Sequence, residues 1–214
     1  MIKRLIFDVD GTLITNVSFT KAIKDTLMDL DVFSEDRVND FIKGIGTYEK
    51  IYNNYNKEDY TKHMSKQIKA PLGDNFPEVF FNHLKYAIPE RNDELINSIS
   101  ELSKKYELVI LTNYFSKSQV NRLNGMGIGK YFKQCYGEHL IKPNPDAYIN
   151  ACGEYRPEEC VMIGDDLYLD IECAKNKGLN TILVNTKNYD VKDIDTIVVS
   201  KVEEIDDSLI ETIE

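Results

Sequence analysis

Proline is scarce in this chain of 214 residues, at six, and glycine is held to eleven, which excludes a collagen repeat and Pro/Gly-rich low complexity. Cysteine is sparse too. Cys135, Cys152, Cys160 and Cys173 stand 17, 8 and 13 positions apart, without a CxxC pair or a histidine arrangement of zinc type. A disulfide miniprotein and a zinc ribbon are excluded, and buried free thiols are expected. No apolar run approaches the roughly 20 residues of a membrane span, so no membrane partner is expected. The opening MIKRLIFDVDG meets an aspartate too early for a signal peptide, and a reducing cytoplasm is the expected compartment. Basic charge is also short. Lys and Arg total 26 against 36 Asp and Glu, a formal net of -10 with no basic block, which argues against nucleic acid as the main partner.

Several catalytic signatures are missing as well. There is no GxSxG element for Ser-His-Asp hydrolysis, and His63, His83 and His139 are scattered without HExxH or paired spacing. Gly125 to Lys130 superficially suggests a phosphate loop, but Asn124 and Tyr131 stand where a Walker motif needs Gly and Ser or Thr, so a helix-ending turn is expected.

What remains is an ordinary globular composition, 42% hydrophobic and 29% charged, in a chain long enough to bury roughly 70% of its unfolded surface. Four short apolar runs end in polar or small residues: Leu5 to Phe7 before DVDG, Leu108 to Leu111 before TN, Val161 to Ile163 before GDD, and Thr181 to Val184 before Asn185. Such runs mark strands buried on both faces. Helical patterns separate them: Leu95, Ile96, Ile99 and Leu102 before the second run; Val120 and Leu123 after it, capped by Ser116 and ended by Gly125 and Gly127; then Asp170, Ile171, Ala174 and Gly178. The alternation predicts an α/β fold with a doubly wound parallel sheet.

Residues 17–89 break the alternation. Helical periodicity without a convincing strand predicts an all-helical insertion there, leaving 1–16 and 90–214 as the α/β core. The insertion holds 5 of the 13 Tyr and 6 of the 9 Phe. Large side chains suit a small separate core, and the functional alternative is a partly aromatic lid facing a ligand.

The chemistry gathers at strand ends, where ligands of such sheets sit. The first strand delivers Asp8 and Asp10, the second Thr112 and Asn113, and the third Asp165 and Asp166, with Asp170 starting the helix beyond. Converging carboxylates repel, so the cluster needs a cation or protons. Oxygen-only ligands select Mg²⁺.

Phe7 to Leu13 (FDVDGTL), Leu111-Thr112-Asn113, Lys142-Pro143, and Gly164-Asp165-Asp166 through Asp170 resemble, in order and spacing, the four motifs of the haloacid dehalogenase (HAD) superfamily. The helical insertion falls where that family places a cap, and the tail from Thr196 to Ile210 resembles the family's end. The resemblance implies a Mg²⁺-dependent phosphatase acting on a small phosphomonoester. It makes Asp8 the nucleophile that forms an aspartyl-phosphate, and Asp10 the general acid and then base. Thr112 and the backbone N–H of Asn113 are then expected on the phosphoryl oxygens, and Lys142 neutralises both nucleophile and phosphoryl group. Asp8, the Asp10 carbonyl and Asp165 are the implied metal ligands. Asp166 and Asp170 are supporting residues, one beside the metal or its water and the other beside Lys142 or the loop.

Within the superfamily, dehalogenases and phosphonate-cleaving members lack the second aspartate, so Asp10 favours ester chemistry. Sugar phosphomutases carry a histidine where this chain has Thr20, which disfavours a mutase. Thr15 departs from the aspartate common in relatives and bears on the cap hinge. A phosphoacceptor receiver domain is the reading from another class, since it also combines clustered aspartates with Thr and Lys on a parallel sheet. Receivers are shorter, lack a cap and have no acid at Asp10's place.

Overall fold

A computed structural model describes residues 1–192 and 194–213. β1 (Arg4–Phe7) is buried along its whole length, and Arg4 is tolerated there because its guanidinium donates to the Ala151 carbonyl at 2.7 Å and pairs with Glu107. The chain then runs through four helices: α1 (Thr20–Asp29), α2 (Glu35–Tyr48), α3 (Lys57–Ile68) and α4 (Phe76–Leu84). Side-chain caps start two of them: Ser34 accepts from the Arg37 N–H, and Asn56 from those of Glu58 and Asp59. From there strands and helices alternate: α5 (Asp93–Leu102), β2 (Glu107–Leu111), α6 (Ser116–Gly125), β3 (Phe132–Tyr136), α7 (Pro145–Cys152) and β4 (Cys160–Gly164). A π-helical turn (Leu167–Glu172) leads into α8 (Cys173–Lys175), followed by β5 (Asn180–Val184), β6 (Ile197–Val199) and α9 (Asp207–Glu211).

The six strands form one parallel sheet of order β3-β2-β1-β4-β5-β6. Successive residues of β1 feed opposite layers: Leu5 and Phe7 pack with Ile99 and Leu102 of α5, Ile6 with Ala147, Tyr148 and Cys152 of α7. The sheet is therefore doubly wound. Strand order reverses between β1 and β4, and Phe7 is level with both Ile110 and Ile163. Asp8 thus leaves the sheet beside the ends of β2 and β4, at the switch point where such sheets open a crevice.

The four helices between β1 and α5 bury their own cluster, including Phe41, Tyr48, Tyr60, Phe76 and Phe80. Edge-to-face contacts tie it together, such as Phe41 with Phe80 at 5.0 Å and Tyr48 with Tyr60 at 5.1 Å. Tyr114 and Phe115, just beyond β2, and Ile141, just before Lys142, belong to the same cluster. The helical layer is anchored on the loops that carry Asn113 and Lys142.

Two local expectations are corrected, and one strand is unforeseen. Val120 of α6 is 37% exposed, and the buried face carries Ser118, Gln119, Arg122 and Leu123, because it points at polar groups of the crevice. Ser116 is the first helical residue of α6 rather than its cap, and the Glu138 carboxylate accepts from its N–H at 2.9 Å. β3 has no buried apolar run to announce it; as an edge strand it leaves Lys133 and Gln134 exposed. The four cysteines are free thiols, and among the described residues no helix is long and apolar enough to cross a membrane.

Candidate active site

Beyond Phe7 the chain turns sharply. The Ile14 N–H donates to the Val9 carbonyl at 2.8 Å and the Gly11 N–H to Ile14 at 2.9 Å, with Gly11 at φ +93. A side chain at Gly11 would be strained and would collide with the Asp165 carboxylate, so glycine here lets two carboxylate-bearing loops meet. Gly164 plays the same part for Asp170, whose carboxylate lies where a Cβ would stand.

At the floor, the buried Lys142 ammonium donates to Asp8 at 2.7 Å and to Asp170 at 2.6 Å. Burial opposes its charge, but the carboxylates of Asp170 and Asp8 outweigh it and hold the lysine above its ordinary value. For Asp8 burial wins over Lys142, and its carboxyl is pushed up to about 8, with Asp170 and Asp165 adding to the rise. Asp165 is raised as well, first by burial, against the pull of Lys187.

Asp166 and Asp170 hold different positions. Asp170 is buried, and its second oxygen accepts from the Asp166 N–H at 3.0 Å, so it backs Lys142. Asp166 caps the π-helical turn by accepting from the N–H groups of Tyr168 (3.1 Å) and Leu169 (2.9 Å). Despite partial burial these N–H groups and Lys187 hold its carboxyl below the ordinary value. Thr112 is buried and its hydroxyl accepts from Gln119 at 3.1 Å, which leaves its own proton free to donate. Asn113 locks the Lys142 backbone with two bonds, donating to its carbonyl at 2.8 Å and accepting from its N–H at 2.7 Å.

Asp10 lines the same cavity with donors of its own. Arg122 donates to one of its oxygens and Gln119 to the other, both at 2.7 Å. The guanidinium, 1% exposed, also donates twice to the Ala87 carbonyl (3.1 and 3.0 Å) and lies over the Phe19 ring at 5.1 Å.

Three residues here escape sequence reasoning. Gln119 and Arg122 are one helical turn apart on α6, a spacing that could have drawn attention once Asp10 was in hand. Lys187, three residues past β5, donates to Asp166 at 2.9 Å and lies 3.1 Å from Asp165; the rule of looking beyond strand ends reaches it. The histidines lie elsewhere: His63 is buried against the Gly44 carbonyl at 3.0 Å, and His83 pairs with Asp29 at 2.8 Å.

Carboxylate oxygens of Asp8, Asp165 and Asp170 lie within 4.8 Å of one another, all three residues buried. Counting Asp166, and with every carboxyl ionised, four carboxylates face the ammonium groups of Lys142 and Lys187, a formal surplus of two negative charges. Hard oxygen donors with that surplus fit a divalent cation such as Mg²⁺. Asp10's side chain is outside this cluster. A cavity of about 250 Å³ opens above it, lined also by Phe19, Ile45, Glu49, Tyr55, Leu84 and Tyr114.

A family model described as haloacid dehalogenase-like hydrolase matches residues 2–178. The chain belongs to this family. This HAD-like hydrolase is an enzyme by family, and it is 24% identical over 204 residues to a glyceraldehyde 3-phosphate phosphatase of Methanothermobacter thermautotrophicus, covering 87% of each chain. A second such phosphatase, of Methanopyrus kandleri, is 23% identical, covering 88% of this chain and 86% of the relative. Among solved structures, the HAD-hydrolase YfnB from Bacillus subtilis bound to magnesium superposes with a TM-score of 0.73 at 22% identity, covering 95% of this chain and 96% of that one. A HAD phosphatase from Thermococcus onnurineus gives 0.65 at 21% identity, covering 95% of both.

Proposed function

We propose that this HAD-like hydrolase is a phosphatase that splits a small phosphomonoester through an aspartyl-phosphate on Asp8, and that residues 17–89 form a cap over a core of 1–16 and 90–214. The observation that carries the reading is the pair of aspartates two residues apart with separate partners in one cavity: Asp8 on the Lys142 ammonium, Asp10 in the grip of Arg122 and Gln119. The names of the two phosphatase relatives, matched over most of their length, support its phosphatase part.

Asp8 attacks phosphorus and the bond to the ester oxygen breaks, while Asp10 gives that oxygen its proton. Asp10 then takes a proton from a water that attacks the same phosphorus; the bond to Asp8 breaks and orthophosphate leaves. Lys142 holds Asp8 in line and offsets phosphoryl charge, with Asp170 fixing the lysine. The Thr112 hydroxyl, oriented by Gln119, donates to a phosphoryl oxygen. Mg²⁺, held by Asp8, Asp165 and the Asp10 carbonyl, would supply charge neutralisation at the phosphoryl oxygens. Arg122 positions Asp10.

Repeated turnover of p-nitrophenyl phosphate in Mg²⁺ tests the reading, since a receiver domain would label once and stop. Asp8→Asn should cut phosphate release by at least about a thousandfold with the fold intact by circular dichroism. Full activity in that variant ends the covalent mechanism.

A further inference from the structure

The leaving-group end of the cavity is charged differently from the phosphate end. Each cation in the lining is committed: Lys142 to Asp8 and Asp170, Lys187 to Asp165 and Asp166, Arg122 to Asp10, Gln119 and the Ala87 carbonyl. Glu49, just past the end of α2, has the opposite status. Its two oxygens accept from the Tyr55 hydroxyl at 2.7 Å and the Asn113 amide at 3.0 Å, so neutral donors hold it in place without cancelling its charge. Tyr55 is itself fixed, its N–H donating to the Glu138 carbonyl at 2.6 Å and its ring packed on Tyr48 and Tyr114. Burial, and then the charge of Glu49, raise the Tyr55 phenol, so it stays a donor.

We propose, building on the phosphatase reading, that the hydrolysed ester has a short leaving group that bears hydrogen-bond donors and no negative charge, an amino-alcohol phosphate before a polyol phosphate, and that Glu49 selects it. A second carboxylate or phosphate on the substrate would meet Glu49 with no cation to spare. An ammonium or hydroxyl group would give Glu49 a donor. The volume of about 250 Å³ falls below the roughly 300–1,000 Å³ of drug-sized ligand sites, which suits a small ester.

The test is a two-carbon series whose leaving groups carry charges of plus one, zero and minus one: 2-aminoethyl phosphate, 2-hydroxyethyl phosphate and phosphoglycolate. For each, kcat/KM of the wild type is divided by that of Glu49→Gln, which cancels intrinsic reactivity. The ratio should be about tenfold above one for the aminoethyl ester and about tenfold below one for phosphoglycolate, with the hydroxyethyl ester between them. Because Glu49 is solvent-exposed, the wild type's preference for the aminoethyl ester over phosphoglycolate should also shrink in about 0.5 M salt, a check that needs no variant. Equal ratios across the series, or phosphoglycolate as the best of the three in the wild type, overturn the assignment while Asp8-dependent release from p-nitrophenyl phosphate keeps the phosphatase reading. Absence of turnover with every ester overturns both.

Discussion

The two walls of the cavity are built by different means. On the sheet side, charges pair in a buried circuit of Asp8, Lys142 and Asp170, beside Asp165 and its exposed partner Lys187, each carried by a strand end or a loop beyond it. On the helical side, Phe19, Ile45, Leu84 and Tyr55 line the space, and Glu49 is the one carboxylate that layer contributes among the described lining residues. A buried ion network is rigid because removing one member strands another's charge in a poor solvent, whereas aromatic packing with an exposed acid can change without that penalty. The difference assigns fixed chemistry to the sheet and adjustable selection to the helices.

The harshest way to break that contrast is Lys142→Met, which leaves Asp8 and Asp170 facing each other. It should lower kcat by about 10²–10³-fold and stability by about 3–5 kcal/mol in urea denaturation. A variant as stable as the wild type would show that the circuit is not what holds the sheet edge. Next comes Arg122→Met, with Gln119→Leu as its milder companion. Release from an alkyl phosphate, whose leaving oxygen needs a proton, should fall about a hundredfold, and release from p-nitrophenyl phosphate less than about tenfold. Equal losses with both substrates would reduce Arg122 to a structural residue.

A smaller effect concerns pH. Without metal, burial lifts Asp8 from 3.8 to about 8, so between those values the unfolded chain gives up a proton that the folded chain keeps. Stability from this group is therefore complete below the lower value and drains away as pH rises through the upper one. Melting in EDTA should show stability falling from pH 5 to pH 8, by at most about 4 kcal/mol, and Asp8→Asn should flatten the slope. The smallest effect sharpens the sheet side alone. Lys187→Met removes an ammonium that shares Asp165, and calorimetric Mg²⁺ affinity should rise several-fold as that repulsion goes.

Asp8, Asp10, Thr112 and Asp165 were legible because each follows an apolar run at a strand end, where side-chain type and position together carry meaning. Lys142 and Asn113 were legible through motif order, although the Asn113 side chain turned out to be tied to the Lys142 backbone. Gln119 and Arg122 were hidden because helix faces are sought by their apolar residues, and the inner face of α6 is polar. β3 was hidden because an edge strand buries too little to impose a pattern. The insertion's helices were visible, but the reach of Glu49 to Asn113 depends on how that layer seats on the β2 loop, which no local pattern encodes.

Arg122 has a consequence for sequence drift. Its guanidinium spends two donors on the Ala87 carbonyl, in the segment by which the chain leaves the helical layer, and stacks on Phe19, by which it enters. Lengthening or stiffening either connector shifts the platform on which Asp10 rests. Two connectors, of a kind where insertions are ordinarily harmless, are thereby wired to Asp10, and on the proposed reading changes in them register as altered turnover before they register as misfolding.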